Sequence, residues 1–288
     1  MVYFMCEVPA IEVVLRLHPP SLPKLLFYIS KVCSNIFTSP NFIHVQSSYQ
    51  TCLSSAVFLA CTSVIAPLHQ GHNTGIWINE AQHPFNVFRK AGFEVDLVSE
   101  TGKRGEDWLS VQPDFLTGKD RENYENRSSE FRTKLDNMLT PDKIDATRYG
   151  IFFASAGHAA LLDYPDAKGL QDLAIQIWFR GGMVCSVCHG PAIFPGIIDP
   201  ATGQSVVHGK TFTGFDTQGE EDMGLAATLY KWGKPWVEDV AKALGATYAP
   251  APGPWDAFHV VDGRVVTGTN PASAQETAEA ILEVFERL

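Results

Sequence analysis

The chain has 288 residues, of which 45% are hydrophobic and 19% charged, with a formal net charge of −10. That composition suits a globular protein of one large α/β domain or two small ones. The acidic balance and the absence of any basic run disfavour general binding to nucleic acid or to an anionic membrane surface.

Residues 1–53 read as an N-terminal extension. Between Met1 and Gln50 there are two acids, Glu7 and Glu12, against three bases, Arg16, Lys24 and Lys31; Pro19-Pro20, Pro23 and Pro40 break the apolar clusters. One helix fits around Lys24 to Phe37. No apolar run reaches the ~18–20 residues needed to span a bilayer. The segment also lacks the basic start of a secretory leader and the arginine content of a transit peptide. The expected location is the cytoplasm, with the nucleus as a further compartment.

From Ser54 the pattern becomes regular. Ala56 to Cys61 is a short apolar run, fit for the first strand of a buried parallel sheet. His69 to Gly75 is a loop rich in turn formers, with His69 and His72 expected at a solvent-facing rim. Ile78 to Ala91 has helical spacing and ends at Gly92. Phe93 to Val98 alternates as a second strand, completing a βαβ unit. Residues 100–145 are charged and irregular, with a short helix starting at Thr140-Pro141-Asp142. Tyr149 to Ser155 is a third strand, apolar throughout and therefore central, and Ala156 to Ala159 turns after it. Ala167 to Arg180 is an amphipathic helix with Leu170, Leu173, Ala174 and Ile177 on one side, closed by Gly181-Gly182.

Met183 to Val187 suits a buried strand, and Gly190-Pro191 opens a helix, with proline where its missing N–H costs nothing. Cys188 and His189 therefore sit at a strand-to-helix turn. Such an elbow exposes an attacking atom, and the positive end of a helix favours a thiolate there. Free cysteines are most often small buried hydrophobes, and that reading fits Cys185 inside the strand. Cys185 and Cys188 form a Cys-x-x-Cys, yet residues three apart on a strand face opposite sides. With no second such pair, a redox couple or zinc ribbon is disfavoured. Six cysteines at irregular spacing form no disulfide framework and point to a reducing, intracellular compartment.

Beyond the elbow, Lys210 to Phe215 reads as another strand. A helix follows from Gly219-Glu220-Glu221 to about Tyr230, then a short helix over Trp236 to Leu244. Phe258 to Thr267 is a hairpin with Asp262-Gly263 at its turn. Asn270-Pro271 caps a final helix running to Phe285. The alternation gives one α/β domain over residues 54–288, a doubly wound, mostly parallel sheet with helices on both faces.

Glu80-Ala-Gln-His-Pro-Phe, Phe93-Glu-Val-Asp, Ser99-Glu-Thr-Gly, Phe153-Ala-Ser-Ala-Gly-His, Asp163-Tyr-Pro, Val187-Cys-His-Gly-Pro-Ala, Thr213-Gly-Phe and Thr267-Gly-Thr-Asn-Pro-Ala-Ser-Ala stand in this order. The set resembles the ThiJ/PfpI superfamily (class I glutamine amidotransferase-like). Within it, the set is similar to the branch of glutathione-independent glyoxalases (glyoxalase III, D-lactate dehydratase) and heat-shock chaperones. The resemblance runs from Ala56 to the C-terminus. It implies a flavodoxin-like fold and a homodimer. It further implies Cys188 as nucleophile, His189 beside it, Glu80 at the start of the first helix, and Glu220 orienting the histidine, with Glu221 as the adjacent alternative. Gly157 and His158 correspond to backbone donors for an oxyanion. Ala159 stands where family members commonly carry glycine.

The chemistry suits the same residues. A thiolate at Cys188 can add to the aldehyde of methylglyoxal. His189 can carry a proton through an enediol, backbone N–H groups at Gly157 and the elbow can hold the oxyanion, and water releases D-lactate. A protonated Glu80 in an apolar pocket would hydrogen-bond Cys188 and tune it. No metal, flavin or thiol cofactor is called for, and no tight spacing of histidines and acids suggests a metal site. Blander readings stand beside these: Glu80 and Glu220 as complements to helix dipoles, His158 as a structural residue, Asn270 as a helix cap. The competing functions are a holdase chaperone for unfolded clients, a protein deglycase, and, ranked last, a cysteine peptidase or amidase.

Overall fold

The computed structural model describes residues 53–288; the helix expected around Lys24 to Phe37, and all but the last residue of the extension, lie outside the described residues. Along the chain the strands are β1 (Ala56–Ala60), β2 (Ala66–His69), β3 (His72–Thr74), β4 (Glu94–Val98), β5 (Ile151–Ala154), β6 (Met183–Val187), β7 (Thr211–Phe212), β8 (Thr247–Tyr248), β9 (His259–Asp262) and β10 (Val265–Gly268). Six of them build the main sheet in the order β4-β1-β5-β6-β10-β9. All neighbours run parallel except β9, which is antiparallel to β10. Taken alone, the five parallel strands have the order 2-1-3-4-5 of flavodoxin-like sheets, so the strand order reverses between β1 and β5. Every residue of β1, β5 and β6 is buried, because a central parallel strand is covered on both faces and needs an apolar run rather than alternation.

The connections fix the layers. The crossover from β1 to β4 uses the helix Ile78–Lys90, and that from β5 to β6 uses the helix Lys168–Phe179. These two crossovers step across the sheet in opposite directions, so right-handed connections put their helices on opposite faces. The last helix, Ala274–Phe285, packs against Ile78–Lys90 and against β6 and β10. The 3₁₀ turn Pro271–Ser273 that leads into it is fixed by a capping box, in which the Asn270 side chain accepts from the Ser273 N–H and the Ser273 hydroxyl accepts from the Asn270 N–H.

Several expectations are corrected. The strand read over Lys210 to Phe215 is the two-residue β7, which pairs with β8 in a separate ribbon rather than joining the main sheet. It lies beside the edge strand β9: the Thr211 N–H donates to the Asp262 carboxylate at 2.9 Å, and Lys210 pairs with the same carboxylate. The helix expected from Glu220 to Tyr230 is two helices, Thr217–Asp222 and Ala226–Trp232, parted at Gly224, whose φ of 69° suits glycine. The loop after β1 holds the β2–β3 hairpin. The charged stretch before β5 contains the helices Gly118–Glu125 and Glu130–Asp136. The β9–β10 turn is Gly263-Arg264, one residue later than expected, with positive φ at Gly263 only; glycine in the first central position is the type II′ pattern.

Candidate active site

Cys188, Gly157 and His158 stand at the carboxyl ends of β6 and β5, next to the point where the strand order reverses, which is where ligands bind in open α/β sheets. Cys188 has φ of 58°, a left-handed conformation that costs a side-chain-bearing residue about 1–3 kcal/mol. The strain persists because both of its backbone groups are tied down. Its N–H donates to the Gly268 carbonyl at 3.0 Å, and its carbonyl accepts from the Phe215 N–H at 3.0 Å. Gly190 lets the chain turn tightly beneath β5, since a Cβ there would lie 2.6 Å from the Ala154 carbonyl oxygen. The segment after the elbow, Gly190–Gly196, is a 3₁₀ helix and not the expected α-helix; Pro195 has no N–H to give an α-helical bond and its ring crowds the preceding turn. The aligned dipole expected to favour a thiolate is therefore weak here. Burial pushes the Cys188 thiol well above its ordinary value, and the Glu80 carboxylate, where charged, pushes it further.

The other expected residues converge on this sulfur. His189 Nδ1 lies 3.2 Å from Cys188 Sγ, and His189 Nε2 lies 2.7 Å from Glu220 Oε1. A carboxylate only accepts, so Nε2 carries the proton and Nδ1 is left to accept from the thiol. Glu220 is wholly buried, near the start of the Thr217–Asp222 helix, while Glu221 is exposed; the choice between the two falls on Glu220. Its second oxygen, Oε2, takes a hydrogen bond from His158 Nε2 at 3.0 Å. One carboxylate thus bridges two imidazoles. Burial alone would raise Glu220, but the two histidines hold it far below the usual carboxylate range. The effects on the rings differ in sign. Burial lowers His158, yet Glu220 outweighs it and the net shift is upward. His189 is lowered, by burial first and then by the charge on His158.

Glu80 sits in the first turn of the Ile78–Lys90 helix, which is seated by the Trp77 N–H donating to the Ala156 carbonyl at 2.8 Å. Glu80 is fully buried and neither carboxyl oxygen makes an ordinary hydrogen bond. Burial raises it to about 8, moderated first by the Cys188 thiol, then by the charge on His158 and by the Ala156 backbone. Glu80 is therefore a neutral acid at pH 7, not a dipole complement. Gly157 adopts φ of 130°, and a Cβ there would lie 2.1 Å from the Gly75 carbonyl oxygen. The N–H groups of Gly157 and His158 make no backbone–backbone bond among the described residues, which leaves them available to a ligand. The Cys188 N–H, by contrast, is spent on Gly268, so of the elbow amides only that of His189 faces the sulfur. Ala159 has φ of −63°, an ordinary helical value that alanine adopts without strain.

The rim position expected for His69 is corrected. This residue is 6% exposed rather than solvent-facing, with Nε2 2.9 Å from the fully buried Asp107 carboxylate. Only His72, stacked on Trp108 at 4.0 Å between centroids, is exposed. The His69 ring lies 5.8 Å from that of His158. Ligand-capable atoms of His69, Asp107 and His158 all fall within 4.8 Å of one another, a convergence with no signal in sequence spacing. Cys185 is a core residue, as its place in the apolar strand implies.

A flavodoxin-like sheet carrying a cysteine on a left-handed elbow, with an oriented imidazole and a neutral acid beside it, defines the cysteine-elbow class of α/β proteins. The comparison with known proteins agrees. The chain belongs to the DJ-1/PfpI family, which matches residues 79–284. It is 51% identical over 231 residues to "Glutathione-independent glyoxalase HSP31" of Saccharomyces cerevisiae, covering 80% of this chain and 98% of that protein. It is 48% identical over 231 residues to "Glyoxalase 3" of Candida albicans, with the same coverage. The crystal structure of glyoxalase III from Candida albicans superposes with a TM-score of 0.79 at 47% identity, covering 81% of this chain and 98% of that one.

Proposed function

We propose that this chain is a glutathione-independent glyoxalase, a lyase that converts methylglyoxal and water to D-lactate. The observation that carries the reading is the run of contacts from Cys188 Sγ through His189 to Glu220, with protonated Glu80 at the same sulfur. In the proposed sequence Cys188 Sγ bonds the aldehyde carbon, and the thiol proton passes through His189 to the new alkoxide. The amides of Gly157 and His158 hold that oxygen while charge develops. Neutral His189 then takes the proton from the former aldehyde carbon and returns it to the neighbouring carbon, through an enediol. This leaves a lactoyl thioester on Cys188, which water cleaves to lactate and the free thiol. Glu80 keeps its proton and donates to the sulfur or the alkoxide. The similarity to proteins named as glyoxalases over nearly their full length supports the substrate class.

The test is a glutathione-free methylglyoxal assay on the wild type and Cys188→Ser side by side, with product read by a D-specific lactate dehydrogenase. The variant is expected to lose at least about 10³-fold in kcat/KM with an unchanged circular dichroism spectrum. Full turnover by Cys188→Ser would remove the mechanism. Suppression of client aggregation that survives in Cys188→Ser would point instead to the holdase reading.

A further inference from the structure

We propose that His69, Asp107 and His158 form a binding site for a divalent transition-metal ion, zinc foremost, adjoining the catalytic cysteine but distinct from it. The proposal is independent of which aldehyde the enzyme turns over. Three observations carry it. Two imidazoles and one carboxylate bring ligand-capable atoms within 4.8 Å of one another. All three residues are buried, at 6%, 0% and 4% exposure. His158 commits Nε2 to Glu220, while its other ring nitrogen, Nδ1, is buried with no hydrogen-bond partner. A polar atom buried without a partner is costly, and a metal ion, which displaces any proton from Nδ1 as it binds, is a partner that the neighbouring donors can share.

The donor set selects the ion. Two nitrogens and one carboxylate oxygen, with a fourth position open, match the donors of three-ligand zinc sites, whereas magnesium and calcium prefer all-oxygen shells. Bonds of ~2.0–2.2 Å put the ligand atoms of a tetrahedral site about 3.3 Å apart. His69 Nε2 and Asp107 Oδ2, at 2.9 Å, are already that close. His158 has at most ~1.5 Å to travel, the excess of the 4.8 Å spread over the tetrahedral spacing. Asp107 is held from behind, since its other oxygen accepts from the Ser110 N–H at 3.0 Å. This outer bond orients the carboxylate as metal sites require. The other triangle of donors, His158, His189 and Glu220, is not assigned, because its donors are already spent on one another: Glu220 accepts from the Nε2 of both rings.

The test uses the metal alone on the full-length protein. Zinc binding is measured by isothermal titration calorimetry, and cobalt(II) serves as a spectroscopic stand-in, in wild type, Cys188→Ser, His69→Gln and Asp107→Asn. One equivalent is expected to bind to wild type and equally to Cys188→Ser, with cobalt d–d bands and no thiolate-to-metal charge transfer. His69→Gln and Asp107→Asn are expected to weaken binding by more than the ~10–100-fold that loss of an outer-shell partner costs. His69→Gln keeps a polar side chain of similar reach, and its circular dichroism spectrum certifies the fold. Absence of uptake by wild type would overturn the proposal. So would binding lost in Cys188→Ser but kept in His69→Gln, since that would place the ion on the catalytic thiol.

Discussion

Replacing Glu80 with glutamine should make the protein more stable and less active. Glu80 ionises near 4.5 when unfolded, yet burial holds its proton in the folded chain up to about 8. The native state therefore binds one more proton across that window, and stability falls as pH rises through it. At pH 7 the interval is 2.5 units above 4.5, a penalty of about 3 kcal/mol at 1.36 kcal/mol per unit. Glutamine has the same shape and is neutral at every pH, so Glu80→Gln lifts that penalty. The expected rise in Tm at pH 7 to 8 follows from roughly 2–4 °C per kcal/mol for a domain of this size, and the gain should vanish towards pH 4.5. Activity should fall by about 10²–10⁴, the usual worth of a positioned acid, because an amide cannot yield its proton. Thermal melts of both proteins across pH 4.5 to 8.5 provide the assay. A Tm difference that is flat in pH, or a less stable variant at pH 8, would refute the argument that the carboxyl is kept neutral by burial.

Other outcomes rest on the same geometry. Glu220→Gln would turn an N–H towards one of the two imidazoles; His189 then loses its fixed tautomer, and kcat should fall by ~10³–10⁴ with KM little changed, read in the glutathione-free assay. Gly157→Ala places a Cβ 2.1 Å from the Gly75 oxygen and 2.8 Å from the Trp77 nitrogen at φ of 130°. Both obstacles are backbone, so the variant should lose at least about 3 kcal/mol in urea denaturation.

The central strands and the elbow were legible because their signals are local. Met183 to Val187 is an uninterrupted apolar run between Gly181-Gly182 and Gly190-Pro191, and its strand bounds match the expectation. The helix Ile78–Lys90 was legible from its spacing and Gly92. The helices Gly118–Glu125 and Glu130–Asp136 were not. The first buries no residue and so writes no apolar stripe; it is held instead by tertiary bonds, among them Arg121 to the Val111 carbonyl and Gln82 to the Asp120 carbonyl. The second signals its start by Ser129, whose side chain accepts from the Arg132 N–H, within an otherwise charged run. His69 was misplaced for a similar reason. Its burial depends on Asp107, which lies 38 positions further along, a separation that no local pattern encodes. Glu80 and Glu220 were found through a family resemblance, while composition and spacing alone offered only dipole complements.

The ribbon of β7 and β8 has a consequence for solubility. An open sheet ends in a strand with free hydrogen-bonding groups, a template on which further copies can stack. Here β9 is one of the two edge strands, with Val261 47% exposed, and Thr211 and Lys210 hold β7 against it through Asp262. The same strand leads into Phe215, whose amide braces the elbow. Loosening this short segment would unbrace the cysteine and uncover the margin of the sheet together, so loss of turnover and self-association should appear as one event.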